Sequence, residues 1–159
     1  MKLFHVTFAS TVSQILRLGI RTGQSQIWFK KGTGLFPQGF IFAFSDYREA
    51  ANWAYKQTLD TARVTVIIAF TAEHNDWAKD DHTENSLECY GDWLKSDKGV
   101  LSRDIQEVVC RAQWKNQVDE KKYADLPPQE EKTGWKKFCT HLDTISQRII
   151  WANDDSEKE

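Results

Sequence analysis

The sequence predicts an α+β domain. Three observations carry that prediction. Short runs rich in aromatic and β-branched residues at 3–7, 40–44 and 64–70 read as strands. Longer stretches between and after them repeat apolar residues at helical spacing. Asp46 and Gly19 punctuate the pattern where a helix begins and where one ends.

Residues 2–8 alternate, with Leu3 and His5 on one side and Phe4 and Val6 on the other, as a strand requires. Ser10 or Thr11 then caps a helix with Val12, Ile15 and Leu16 at core spacing, and Gly19 closes it. Residues 20–38 form a polar loop interrupted by Ile27, Trp28 and Phe29 and holding Gly32, Gly34 and Pro37. The run 40–44 is too short and aromatic for a helix. Asp46 with Glu49 three residues later has capping-box spacing, and Ala50, Trp53, Ala54 and Gln57 share one face of the helix that follows. Val64, Val66, Ile67 and Ile68 mark a strand. Residues 72–85 carry His74, Asp76, Asp80, Asp81, His82 and Glu84 at spacings that fit neither zinc nor an EF-hand, so they read as a solvated acidic loop. Ile105, Val108 and Val109 belong to a last strand. Residues 115–133, with Pro127 and Pro128, form a polar excursion. Thr133 caps a final helix whose apolar face runs through Trp135, Phe138, Cys139, Leu142, Ile145, Ile149 and Ile150.

A chain of 159 residues suits one domain, and seven Trp with nine Phe supply an aromatic core. The net charge of −2 gives no global basic field to attract nucleic acid or an anionic membrane. The three cysteines at 89, 110 and 139 are an odd number with no close pair, which predicts a reducing, cytoplasmic setting. The N-terminus lacks the apolar core of a signal peptide.

Three stretches together resemble the ADP-ribosyltransferase superfamily, in its His–Tyr–Glu branch of diphtheria-type toxins and poly(ADP-ribose) polymerases. They are Leu3-Phe4-His5-Val6-Thr7, then Gly39-Phe40-Ile41-Phe42-Ala43-Phe44-Ser45 running into the helix of Tyr47 and Trp53, then Ser86-Leu87-Glu88 followed by Gly99–Ile105. The likeness covers about residues 2–112; residues 113–152 add the excursion and the helix packed on the same domain, and 153–159 read as a disordered tail. It implies a split β-sandwich of two apposed, mainly antiparallel sheets with flanking helices and a cleft that binds NAD+.

In that likeness His5 and Thr7 hold the nicotinamide ribose, Ser45 meets the amide or caps the helix, and Tyr47 and Trp53 form an aromatic wall. Arg21 reaches a pyrophosphate through its forked guanidinium. Glu88 stabilises the oxocarbenium charge that develops as the nicotinamide bond breaks. Glu107 is the rival acid. Val6 and Ile41 depart from the family pattern, where glycine and tyrosine are usual. The implied activity is mono-ADP-ribosylation of a macromolecular acceptor, a protein rather than a nucleic acid, as in an effector, toxin or anti-defence protein. Three alternatives stay open: an RNA 2′-phosphotransferase-like enzyme, which needs more basic residues than Arg21, Lys30, Lys31 and Arg48; a non-catalytic nucleotide or ADP-ribose binder; and a protein-interaction module or inhibitor acting through its last helix.

Overall fold

The computed structural model describes residues 1–22, 39–80, 90–123, 125–145 and 148–153. Its seven strands are β1 (Lys2–Phe8), β2 (Ile41–Phe44), β3 (Thr65–Thr71), β4 (Ala78–Lys79), β5 (Trp93–Ser96), β6 (Ile105–Arg111) and β7 (Ile149–Ala152). The helices are α1 (Val12–Leu18), α2 (Tyr47–Thr61), α3 (Lys115–Asp119) and α4 (Lys132–Thr144). The architecture is α+β.

The described strands form a single mixed sheet in the order β4-β5-β2-β1-β3-β6-β7, where two apposed sheets are expected from the sequence. The sheet is nonetheless divided at its centre. β1 pairs with β3 along its whole length, from Lys2↔Thr71 to Phe8↔Thr65, whereas β1 and β2 share the one pair Phe4↔Phe44. A three-stranded half, β4-β5-β2, and a four-stranded half, β1-β3-β6-β7, therefore meet at a narrow seam.

Side-chain alternation sorts the core into two layers. Leu3, Ile41, Ala43, Val66, Ile68, Val108 and Cys110 face one side, where Val12 and Ile15 of α1 and Trp135, Phe138, Cys139 and Leu142 of α4 cover them. Val6, Phe42, Phe44, Ile67 and Val109 face the other side, under Ala50, Ala51 and Ala54 of α2. Trp135 and Phe138 are fully buried, and burial of a side chain of that size stabilises by roughly 2–3 kcal/mol.

Local signals set most element boundaries. Gly19 closes α1 at φ +81, a left-handed value that glycine adopts at no steric cost. Asp46 caps α2, its carboxylate accepting from the Arg48 amide at 2.9 Å. The capping box is only half formed, because Glu49 turns inward to other partners. Thr11 occupies the N-cap position of α1 as expected, but without a side-chain cap bond; its hydroxyl donates to the Phe8 carbonyl. Thr133 lies inside α4, whose N-cap is Glu131.

The final helix is shorter than its sequence pattern predicts. It stops at Thr144, and Ile149 and Ile150 belong to β7, parallel to β6 with Val108↔Ile149 and Arg111↔Ala152. The β-branched and aromatic residues Ile149, Ile150 and Trp151 suit that edge as well as they suit a helical stripe. Within the excursion, Trp114 and Val118 are buried, so α3 packs on the domain.

Candidate functional site at the sheet seam

His5 lies in the middle of β1, beside the pair that joins the two halves. Continuing the register of Phe4↔Phe44 would set Val6 opposite Phe42, yet no further pair forms. The Phe42 carbonyl instead lies 2.7 Å from His5 Nδ1. A carbonyl can only accept, so Nδ1 carries the proton and donates. His5 is buried, and burial drives its pKa down from 6.5 to about 4, with the bond to Phe42 pulling partly the other way. At neutral pH the ring is uncharged, and its Nε2 has the character of an acceptor.

Thr7 is buried two residues further along the same face. Its hydroxyl lies 2.8 Å from that of Thr11, which already donates to Phe8. The proton between the two threonines therefore comes from Thr7, and this chain of bonds holds the corner between β1 and α1. Arg21 is exposed, just past the isolated bridge between Ile20 and Val100.

The expected aromatic wall stands on the other face of the sheet from His5. Tyr47 meets Phe4 edge to face at 5.8 Å, and Trp53 packs with Trp93 at 5.2 Å and Phe44 at 6.4 Å, all in the layer beneath α2. The crevice beside Tyr47 has a volume of about 10 Å³, room for about one water. The physical reason is the strand period. Phe4 and Phe44 point away from His5, and α2 buries its aromatic residues against them.

Glu107, the rival acid, sits opposite Ala69 of β3 on that same α2 face, and its Oε2 accepts from Lys2 Nζ at 3.1 Å. It does not meet His5. Glu88 lies outside the described residues, as do Lys30 and Lys31. The nearest strand after Glu88 begins at Trp93.

The structure places a further carboxylate that the sequence reading passed over. Asp92 is held by reciprocal bonds to Ser45: the Asp92 amide donates to Ser45 Oγ at 2.7 Å, and the Ser45 amide donates to the Asp92 carbonyl at 3.0 Å. Its Oδ1 pairs with Lys79 Nζ at 3.3 Å, and Lys79 stands opposite Leu94, whose side chain is in the layer that His5 faces. Asp92 thus shares the face of His5, two strands away. The sequence signal for it is its place immediately before Trp93-Leu94-Lys95-Ser96, a strand too short to stand out from the preceding polar run.

The first turn of α2 fixes this end of β5. Glu49 is buried, accepting from Trp93 Nε1 at 2.7 Å and from the Tyr90 amide at 3.4 Å. The Arg48 guanidinium stacks 4.2 Å above the Tyr90 ring and pairs with Asp46 at 2.9 Å, which holds the Asp46 carboxyl below its usual range. Gly91 fits because it has φ +66 and no Cβ; a Cβ there would stand 2.5 Å from Ser45 Oγ.

Cys110 and Cys139 are free and buried, and burial raises their thiol pKa values to about 12 and about 11, so neither is an activated nucleophile. Among the described residues no group of acidic, His and Cys side chains is arranged to hold a metal ion, and no helix is long and apolar enough to cross a membrane. Compared with protein-family models, curated proteins and solved structures, the chain has no match.

Proposed function

We propose that this chain is an ADP-ribosyltransferase-like domain that takes NAD+ as substrate at the seam and transfers ADP-ribose to a protein acceptor. The observation that carries the reading is the neutral, buried imidazole of His5, bonded across the line where the two half-sheets part. The single register pair between β1 and β2 supports the reading to the extent that a split fold parts where two sheet halves share few ladder bonds; the described strands nonetheless form one sheet.

His5 Nε2 accepts from a ribose hydroxyl, and the Nδ1–H bond to Phe42 fixes the tautomer that makes this possible. A carboxylate on the same face of the sheet would stabilise the oxocarbenium charge as the bond from ribose to nicotinamide breaks. Nicotinamide leaves with the bonding electron pair, and a nucleophile of the acceptor attacks the ribose carbon from the opposite face. The resemblance assigns the acid to Glu88. Asp92 is a described carboxylate on the face of His5, separated from it at the backbone by a distance on the order of 10 Å from strand spacing and rise.

The wall of Tyr47 and Trp53 is not used in this reading, because both belong to the layer beneath α2. The test is nicotinamide release from labelled NAD+ with candidate acceptors, using wild type, Glu88→Gln and Asp92→Asn. Turnover lost in one of the two variants, with NAD+ binding retained, supports the reading and names the acid. Full turnover in both variants sinks the carboxylate role. Absence of any NAD+ binding by wild type sinks the reading as a whole.

A further inference from the structure

An open depression lies away from the seam, between α1 and α4. Gly134 lets the start of α4 pass close to the turn before α1: a Cβ on it would stand 2.4 Å from Ser10 Cβ and 3.2 Å from Ser10 Cα. Further along α4, His141 still meets α1, its Nδ1 3.4 Å from Ser13 Oγ. The space beside this crossing has a volume of about 430 Å³ and is lined by Ser13, Lys136, Lys137, Thr140, His141 and Thr144.

The chemistry of the lining is one-sided. Among the described residues it holds two ammonium groups, an imidazole and three hydroxyls, and no carboxylate. Lys2, Lys79, Lys98, Lys115, Lys121 and Lys122 each pair with an acidic side chain. Lys136 and Lys137, like Lys56, Lys95 and Lys132, form no ion pair among the described residues; what sets the two apart is that both line one depression. Two adjacent ammoniums without an ion pair among the described residues, beside the hydroxyls of Ser13 and Thr140, suit a doubly charged group with several oxygens; the Thr144 hydroxyl already donates to the His141 carbonyl at 2.6 Å. The depression is open to solvent, and its volume exceeds what a lone ion needs.

We infer that the depression between α1 and α4 binds the phosphate group of a nucleotide-sized molecule, with Lys136 and Lys137 as its charge partners. None of the lining residues belongs to β1 or β2, so the site is separate from the seam and does not depend on NAD+ chemistry there. A nucleic-acid backbone is the poorer fit, because the overall charge is −2 and extended phosphate contacts need a basic surface.

The test follows the His141 ring resonances of the full chain by NMR, assigned with His141→Gln, during titration with AMP. Adenosine and chloride at matched ionic strength are the controls. The expected result is a saturable His141 shift with AMP and none with adenosine or chloride at the same concentrations. In Lys136→Ala/Lys137→Ala the AMP affinity falls by at least about tenfold, the loss of two charge-assisted contacts. Both lysines are exposed, so the melting temperature of that variant stays at the wild-type value. An AMP response that does not saturate, an equal response to adenosine or chloride, or an unchanged affinity in the double lysine variant overturns the inference.

Discussion

Replacing His5 by Gln removes a buried group that must stay uncharged and puts in its place an amide that does not titrate and carries a hydrogen-bond donor. The magnitude follows from the two pKa values. His5 titrates at about 4 in the folded chain and at 6.5 when exposed, and each unit corresponds to 1.36 kcal/mol. Between 6.5 and 4 the unfolded chain binds a proton that the folded chain excludes, so acid favours unfolding. The contribution of His5 is fully present above pH 6.5, declines as pH falls, and levels off below about 4, with a total of about 3 kcal/mol. Between pH 7.5 and pH 4.5 the expected loss is about 2–3 kcal/mol. Urea unfolding at those two pH values, on wild type and His5→Gln, isolates this contribution, because other titrating groups act on both proteins. Wild type should lose about 2–3 kcal/mol more than the variant, a difference of roughly 5–10 °C in melting temperature. Equal pH dependence in the two proteins would refute the burial of a neutral imidazole at the seam.

Other perturbations test the supporting structure. Gly91→Ala places a Cβ at φ +66 and 2.5 Å from Ser45 Oγ, so it should destabilise by about 1–3 kcal/mol and loosen the start of β5, read by denaturant midpoint and amide exchange at Asp92. Gly134→Ala would stabilise an unobstructed helix by up to about 1 kcal/mol, but the clash with Ser10 reverses the sign to a loss of about 1–3 kcal/mol, and a melting temperature at or above wild type contradicts that packing. Trp135→Phe keeps an aromatic ring but leaves the Lys122 carbonyl without its 3.1 Å donor, a loss of about 1–3 kcal/mol, whereas Trp135→Ala should cost about 3–5 kcal/mol by calorimetry.

Much of the fold is legible in the sequence because most elements carry their own local signal. The alternation of Leu3, His5 and Thr7 against Phe4, Val6 and Phe8 correctly divides β1 between two layers. Asp46 marks the start of α2 and Gly19 the end of α1. The end of α4 is not legible, since Ile149 and Ile150 satisfy a helical stripe and a parallel edge strand equally well, and only pairing with Val108 and Val109 decides. The site is less legible than the fold. Motif order brings His5 and the helix of Tyr47 together in the chain, but which sheet face a side chain occupies depends on strand register. That register puts Tyr47, Trp53 and Glu107 opposite His5, and brings Asp92 to its side through bonds with Ser45 and Lys79.

The most direct test of the account is the state of the His5 imidazole nitrogens, read by nitrogen-15 NMR with and without NAD+. The account predicts a neutral ring at pH 7 with the proton on Nδ1, and an Nε2 resonance that moves saturably as NAD+ is added. A charged ring, a proton on Nε2, or an Nε2 signal indifferent to NAD+ would contradict it.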